Sequence, residues 1–319
     1  MKKMISLMLA LVLCLSLCAC GGKNDDTGSA GLEYTENSDG TYTVTGVGSC
    51  VDEHVVIPRY YNRGLVTCIA DEAFSDYRKM TSLTVPDSIK KIGEKAFWGC
   101  TKLETVYITD LEAWCNIYFE GLLSNPMSWG AALYLNGEAV TDLVIPANLS
   151  VVGDYTFAGC TSLTSVTIPD SVTEIGGAAF SECTGLTNVT IGSGVTEIGF
   201  YAFSDCTSLT SVTIPDSVTW IGDYAFARCS SLTSVIIPDG LTRINGYVFN
   251  GCSSMTSVTI PNSVTQIGHY AFYNCDSLTS IYFEGTMEQW EAVLCESNDW
   301  IGAAEGSRTV YCTDGEFGR

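Results

Sequence analysis

The sequence is poor in histidine and in basic residues. Its 319 residues include two histidines and 15 lysines and arginines, against 36 aspartates and glutamates, for a formal net charge of −21. The scarcity of histidine leaves little material for histidine-based catalysis or zinc sites. The negative charge repels phosphate backbones, which argues against nucleic acid as a partner. Charged residues nevertheless make up only 16% of the chain and hydrophobic residues 46%, which excludes a disordered acidic protein.

The one long hydrophobic run lies at the start of the chain. Two lysines precede an apolar run of 16 residues, Met4 to Ala19, which is shorter than the roughly 20 residues of a membrane-spanning helix. We therefore predict a signal peptide over residues 1–19. The run ends in Leu-Cys-Ala-Cys, which resembles a bacterial lipobox and makes Cys20 the predicted lipidation site, followed by a flexible tether to residue 31. The alternative is an ordinary secretory signal that happens to contain cysteine.

A strict 23-residue period runs through most of the remaining chain. One unit, Leu163 to Gly185, reads LTSVTIPDSVTEIGGAAFSECTG. Its first residues predict a short strand that ends at proline, with Val166 and Ile168 facing inward. One unit cannot bury its apolar residues alone, so the period predicts a stacked solenoid. The columns that recur every 23 residues are Cys160, Cys183, Cys206, Cys229, Cys252 and Cys275; Ile145, Ile168, Ile191, Ile214, Ile237 and Ile260; and Phe157, Phe180, Phe203, Phe226, Phe249 and Phe272.

Two stretches that break the period resemble each other. Asp-Leu-Glu-Ala-Trp begins at Asp110, and Thr-Met-Glu-Gln-Trp begins at Thr286. Each starts with a residue suited to an N-cap and continues with apolar residues at helical spacing. We predict two short amphipathic helices whose tryptophans pack on the solenoid, with the apolar series extending to Tyr118 in the first and Leu294 in the second.

These breaks divide the chain into a leader, a tether, two caps and a solenoid. An alternating strand near Thr41 is predicted to close one end, and the second helix is predicted to cover the sheet edge at the other. The predicted parts are a signal peptide (1–19), a lipidated cysteine and tether (20–31), an N-terminal cap (32–56), the repeat solenoid (57–283) with a variant helical coil (108–144), and a C-terminal cap (284–319).

The recurring unit L-x-x-[VI]-x-I-P-x-x-[VL]-x-x-I-x-x-x-[AVT]-F-x-x-C resembles the BspA-like leucine-rich repeats of bacterial surface proteins. The resemblance covers residues 41–313. It implies a lipid- or wall-tethered surface protein used for adhesion to, or binding of, host or neighbouring cells. We therefore expect a β-rich solenoid, a right-handed leucine-rich-repeat coil with 23-residue repeats, short parallel strands and two short amphipathic helices.

The cysteine column admits three interpretations: disulfides, buried thiols and a metal site. Cysteines of an exported chain suggest disulfides, but one cysteine per coil, always at the same position, favours a structural ladder of buried thiols. Cys50 with Cys68, or Cys295 with Cys312, are alternative disulfide pairs outside the ladder. No metal site is expected, since no C-x-x-C pair lies outside the leader.

The outward positions of the predicted strands carry the candidate ligand contacts. Serine and threonine there suit exposed strand positions, which needs no ligand to explain it. The functional interpretation is a neutral, hydroxyl-rich wall that binds a protein or a glycan. The candidate contacts are Tyr107, Thr167, Thr190, Thr213, Ile236, Thr259 and Tyr282.

Two further columns admit a binding role. A tyrosine precedes the core phenylalanine by two residues in several coils, and this column is either half-buried packing or an aromatic stripe that contacts a partner. Aspartates follow the strand prolines, where they suit turns; a Ca²⁺ row is the alternative, although single carboxylates on successive coils converge poorly. The alternative aromatic stripe is Tyr155, Tyr201, Tyr224, Tyr247 and Tyr270.

Catalytic motifs are missing. The chain has no H-E-x-x-H, no G-x-S-x-G and no phosphate-cradling glycine loop. His54 lies in the predicted N-terminal cap, and His269 replaces a loop residue of one repeat. We expect no enzyme and no cofactor.

The sequence therefore predicts a membrane-anchored extracellular binding or adhesion module on the outer face of a bacterial cell membrane. Its partner would be an extracellular protein or glycan, and the lipid anchor would be its only contact with the membrane. The alternative is a structural surface spacer without a specific ligand. A third interpretation, an ice or crystal binder that uses the two hydroxyl rows, needs a flat sheet.

Overall fold

The computed structural model describes residues 27–296, 299–301 and 308–318. The predicted signal peptide and the predicted lipidation site Cys20 lie outside these residues. Within the described part of the chain, no helix is both long enough and apolar enough to cross a membrane.

The described residues form short strands joined by turns, with two short helices. The strands are β1 (Glu33–Glu36), β2 (Tyr42–Gly46), β3 (His54–Val56), β4 (Tyr60–Tyr61), β5 (Gly64–Ile69), β6 (Ser82–Thr84), β7 (Lys91–Ile92), β8 (Thr105–Ile108), β9 (Tyr118–Phe119), β10 (Ala132–Leu135), β11 (Glu138–Ala139), β12 (Asp142–Val144), β13 (Val151–Val152), β14 (Ser165–Ile168), β15 (Glu174–Ile175), β16 (Asn188–Ile191), β17 (Glu197–Ile198), β18 (Ser211–Thr213), β19 (Trp220–Ile221), β20 (Ser234–Ile236), β21 (Arg243–Ile244), β22 (Ser257–Ile260), β23 (Gln266–Ile267), β24 (Ser280–Phe283), β25 (Leu294–Cys295), β26 (Thr309–Cys312) and β27 (Gly315–Gly318). The helices are α1 (Leu111–Cys115), α2 (Met287–Glu291) and 3₁₀ turns at Leu122–Ser124 and Pro126–Trp129.

Each regular coil contributes one strand to each of two rows of sheets. The first row has the strand orders β11-β10-β8-β6-β3, β12-β14-β16-β18 and β20-β22-β24-β26-β27; the second has β1-β2-β5-β7-β9, β13-β15-β17-β19 and β21-β23-β25. Val166 pairs with Val189 and Ile175 with Ile198, both in parallel. Equivalent residues 23 positions apart are therefore neighbours, which confirms the predicted solenoid of 23-residue repeats.

A third wall of turns closes each coil around the phenylalanines. The N–H of Phe180 donates to the carbonyl of Ala202, and that of Phe203 to Ala225, at 2.8 and 2.7 Å. The phenylalanine rings are fully buried and stack on one another at centroid distances of 5.3 to 5.7 Å. Each ring therefore fills space between two coils, and the core is continuous along the solenoid.

The cysteine column is a ladder of buried thiols, as predicted, with an added hydrogen bond. Cys183 Sγ donates to the carbonyl of Phe157 and Cys206 Sγ to that of Phe180, both at 3.2 Å. Desolvation raises the pKa of Cys206 well above that of an ordinary thiol. The thiols link successive coils as small apolar groups with one weak donor.

The alternative disulfides are absent. Cys50 and Cys68 are free thiols, so the pairing of these two residues is wrong. Cys312 is a free thiol as well, which rules out its bond to Cys295.

Threonine hydroxyls connect the coils at a position just before each longer strand. Thr187 Oγ1 donates to the carbonyl of Thr164 at 2.9 Å, and Thr256 Oγ1 to that of Thr233 at 3.3 Å. The same 23-residue step recurs before the shorter strands, where Thr196 Oγ1 donates to Thr173 at 3.1 Å. Part of the hydroxyl content of the repeat is thus structural rather than available to a ligand.

Both predicted helices are present, and their tryptophans contact the solenoid. Asp110 caps α1 by accepting from the N–H of Ala113 at 3.0 Å, and Thr286 caps α2 through a capping box with Gln289. Trp114 is buried and donates from Nε1 to the carbonyl of Thr156 at 3.0 Å. The equivalent tryptophan of α2 is half-buried against Phe283.

The predicted extension of both helices is wrong. Each helix has only five residues, and the chain then enters a strand of the second row, β9 or β25. Tyr118 and Leu294 therefore point outward from a sheet and are 63% and 69% exposed. Strand pairing with the preceding coil overrides the helical spacing of the apolar residues.

Hairpins occupy three places where parallel stacking stops, and a fourth hairpin pairs β4 with β5 beside the second row. β1 pairs antiparallel with β2 at the N-terminal end, β26 with β27 at the C-terminal end, and β10 with β11 within the predicted variant coil. A hairpin adds a strand to a sheet edge without requiring a further coil.

Replacement of a central core ring tests the shared interior. We expect Phe203→Ala to lower the free energy of unfolding by about 3–5 kcal/mol, because it opens a cavity between two coils. The measurement is equilibrium urea denaturation of the purified variant. Thr213→Ala, at an exposed strand position, is the control and should change stability by less than about 0.5 kcal/mol. Equal losses in the two variants would contradict a shared core.

Alkylation tests the thiol ladder. Cys183, Cys206 and Cys252 are buried, and desolvation holds each pKa well above the ordinary value, so these thiols stay protonated and unreactive at pH 8. Iodoacetamide should leave them unmodified in the folded protein and alkylate them in urea, as read by peptide mass spectrometry. Rapid labelling without denaturant would show that the column is accessible.

Candidate binding surface on the longer strands

The longer strands present one continuous outward position, which we call the strand face. Alternation along each strand turns its second residue inward and its third outward, as Val166 and Thr167 show. Register then aligns these third residues from coil to coil. The strand face consists of Val56, Thr84, Tyr107, Tyr134, Val144, Thr167, Thr190, Thr213, Ile236, Thr259, Tyr282 and Tyr311.

The predicted contact residues fall into three groups on this face. Thr167 lies between Thr190 and Val144 in one sheet, and Thr190 also pairs with Thr213. In the next sheet the pairs are Ile236 with Thr259, Thr259 with Tyr282, and Tyr282 with Tyr311. The remaining prediction, Tyr107, lies in the N-terminal sheet beside Thr84 and Tyr134.

Aromatic pairs mark the N-terminal and C-terminal sheets of the strand face. The rings of Tyr107 and Tyr134 lie 5.2 Å apart at 46°, and those of Tyr282 and Tyr311 stack at 5.2 Å and 18°. Sequence reasoning missed Tyr134 and Tyr311 because both follow breaks in the period. Their signal is the alternation Leu-Tyr-Leu and Val-Tyr-Cys, which matches the strand pattern of the regular coils.

Aliphatic side chains on this face are also exposed. Ile236 is 68% exposed, at a position where both neighbouring coils have threonine, and Val144 is 63% exposed. The strand face holds no charged side chain although the chain has 36 acidic and 15 basic residues. Removing water from such a surface when a partner binds costs little free energy, because no charge is desolvated.

One carboxylate lies close to this surface, on strand β12 of the same row. Asp142 accepts a hydrogen bond from the hydroxyl of Ser165 at 2.5 Å, and this bond lowers the pKa of Asp142 below its usual value. The group stays ionised at neutral pH and orients a serine hydroxyl beside Thr167. The arrangement offers hydroxyls, apolar groups and one carboxylate to a ligand.

The alternative tyrosine stripe is only partly assembled. Tyr201, Tyr224, Tyr247 and Tyr270 form one stack with centroid distances of 4.7, 4.4 and 5.0 Å. Tyr155 is separated from them because Ala178 occupies the equivalent place in the intervening coil.

The stacked tyrosines all have left-handed backbone conformations, with φ between 56° and 62°. This conformation is costly for a bulky residue. It directs backbone N–H groups at the next coil, as when Tyr201 donates to the carbonyl of Asp223 at 3.1 Å. Burial is the main cause that raises the pKa of Tyr224. Stacking and coil-to-coil hydrogen bonds account for this column without a ligand.

Three aspartates of the turn column serve local structure. Asp170 accepts from the N–H of Ser193 at 2.7 Å, Asp110 caps α1, and Asp87 pairs with Arg59. Among the described residues, no group of three histidine, cysteine or acidic side chains has a metal-binding arrangement.

Known proteins share this architecture. The model of the BspA type leucine rich repeat region matches six copies over residues 55–122, 130–230 and 179–296. None of the curated proteins matches the sequence.

Several solved structures are similar. A leucine rich cell surface protein from Faecalibacterium prausnitzii is 26% identical, with 86% of this chain and 99% of that chain covered and a TM-score of 0.33. A leucine-rich repeat protein from Bacteroides ovatus is 25% identical, with 80% and 83% covered and a TM-score of 0.38. The pneumococcal vaccine antigen PcpA is 15% identical, with 77% and 73% covered and a TM-score of 0.48. Because the family model covers most of the repeat region, the chain belongs to the BspA-type leucine-rich-repeat family.

Proposed function

We propose that this chain is a membrane-anchored extracellular binding module whose strand face holds a protein or glycan ligand. The observation that carries the proposal is the uncharged strand face, with exposed Ile236 and the tyrosine pairs Tyr107–Tyr134 and Tyr282–Tyr311. Tyrosines supply much contact area at a small entropic cost, and threonine hydroxyls supply adaptable hydrogen bonds.

The position of the hydrophobic exceptions supports binding over simple solubility. Threonine alone would satisfy an exposed strand position. The chain instead has larger side chains at three positions, half-buried at Tyr107 and exposed at Ile236 and Tyr282. Each is flanked by a threonine in the adjacent strand. Aromatic and aliphatic side chains surrounded by small polar ones are typical of interface hot spots.

The leader supports a surface location. A lipobox-like Leu-Cys-Ala-Cys closes the hydrophobic run, so Cys20 would carry the lipid and residues 20–31 would hold the solenoid off the outer face of the membrane. A net charge of −21 would keep the solenoid from lying on an anionic surface. The anchor would be the only membrane contact, and we assign no catalytic step or cofactor to the chain.

Replacing the three larger residues of the strand face by threonine, the consensus residue of the repeat, tests whether this face binds the ligand. In Tyr107→Thr, Ile236→Thr and Tyr282→Thr combined, each new threonine matches the residue of neighbouring coils, so the fold should persist. We expect affinity for a ligand found on arrays of host and bacterial surface proteins and glycans to fall at least about tenfold. The matched control is Tyr118→Thr, which removes an exposed tyrosine from the other row of sheets and should leave affinity unchanged.

Two results would contradict this proposal. The triple variant binding as well as the control would show that the ligand lies elsewhere. An absence of any ligand together with ordered self-association in sedimentation would favour the alternative, a structural spacer.

Lipidation is tested by changing the acceptor. Cys20→Ser should move the protein from the membrane fraction to the soluble fraction of a bacterial host and remove the lipid mass from the N-terminal peptide. Cys18→Ser should keep both. A protein that stays membrane-bound and unlipidated in its original form would refute the anchor.

A further inference from the structure

The second row of sheets departs from the repeat at two neighbouring positions. Trp220 stands where the other regular coils have Val151, Glu174, Glu197, Arg243 and Gln266. Phe200 stands where they have aspartate, glycine or histidine, after a turn that recurs in each coil. Neither position faces the core, so the repeat itself requires no aromatic residue there.

The two departures meet on the surface. The rings of Phe200 and Trp220 lie 5.1 Å apart at 79°, an edge-to-face contact. Phe200 is 51% exposed, and its chain neighbour Tyr201 is 43% exposed. Phe200 and Trp220 thus share one solvent-facing area on the second row of sheets, whereas the strand face lies on the first row.

Two carboxylates continue this area along the sheet. Glu174 pairs in register with Glu197, which pairs with Trp220. Both glutamates are exposed, and no described residue forms an ion pair or side-chain hydrogen bond with either. Like charges at directly opposed strand positions repel each other. This repulsion is not offset by a cation of the described residues.

The nearest cation of the same row is already engaged. Arg243 Nη2 contacts Glu296 Oε1 at 2.7 Å, and its Nε donates to Asn245 Oδ1 at 2.7 Å. Elsewhere on the solenoid, the adjacent acidic pair Glu182 and Asp205 has its own arginine, since Arg228 Nε lies 3.5 Å from Asp205 Oδ1. The pair formed by Glu174 and Glu197 is therefore left for an external cation.

We propose that Glu174, Glu197, Phe200 and Trp220, here named the acidic-aromatic patch, bind a basic segment of another protein. An arginine or lysine side chain would lie against the Trp220 ring and pair with Glu197 and Glu174. Apolar groups of the same segment would cover Phe200. A second copy of this chain is a poor occupant because both molecules carry a net charge of −21.

A charge-matched peptide pair tests the patch directly. The probe is an acetylated and amidated Gly-Arg-Gly-Arg-Gly peptide, and its twin has citrulline in place of each arginine. We expect the purified protein to bind the arginine peptide at least about tenfold more tightly than the citrulline twin. Binding should weaken with added salt, as an ion pair at an exposed site requires.

Variants separate the patch from the general acidity of the surface. Trp220→Gln and Phe200→Gly restore residue types that other coils have at these positions, and each should weaken arginine-peptide binding at least about fivefold. Glu174→Gln combined with Glu197→Gln should do the same. The matched control removes two exposed carboxylates elsewhere, in Glu288→Gln with Glu291→Gln on α2, and should bind as the unaltered protein does.

Three results would overturn the inference. These are equal binding of both peptides, equal losses in the patch and control pairs, and no binding up to about 1 mM, the weak end of specific recognition. The strand-face triple variant should bind the arginine peptide normally, so the patch and the proposed function succeed or fail independently.

Discussion

The in-register contact between each coil and the next is the constraint on which the structure depends. No coil of 23 residues can bury its own valines, isoleucines and phenylalanine. Two rows of parallel strands and a wall of turns hold neighbouring coils together by backbone hydrogen bonds. Stacked rings such as Phe180 and Phe203 fill the interior between them. Both the strand face and the acidic-aromatic patch inherit their spacing from this register.

The columns with one residue per coil could be predicted from the sequence because the period is a direct record of register. The phenylalanine and cysteine columns are buried as the repeat requires, and the outward position of Thr167 follows from alternation. Two features of the turns were not predictable, because they depend on the path of the backbone rather than on residue type. They are the hydrogen bond from the Cys206 thiol to the Phe180 carbonyl and the left-handed backbone at Tyr224.

Other features escaped prediction where the period is broken or where contacts cross it. The spacing of Tyr118 from Leu111 and Trp114 predicts a helix, but Tyr118 pairs with Lys91 in a parallel sheet instead. Tyr134 and Tyr311 follow insertions, so counting by 23 does not reach them. Phe200 and Trp220 are separated by 20 residues in sequence, and their contact crosses two columns. Counting by 23 aligns equivalent residues within one column, but it does not show which residues of different columns contact each other on the surface.

Outward residues of the repeat can change without disturbing the core. Residues that depart from the consensus at these positions are therefore the best candidates for binding a ligand. Both surfaces depend on coils that share one interior. Hydrogen exchange read by mass spectrometry tests this most directly. The buried amides of the coils between Phe157 and Phe272 should exchange together, slowly, and more slowly than those of the end strands β1 and β27. Fast exchange that differs from coil to coil across this region would contradict a shared interior.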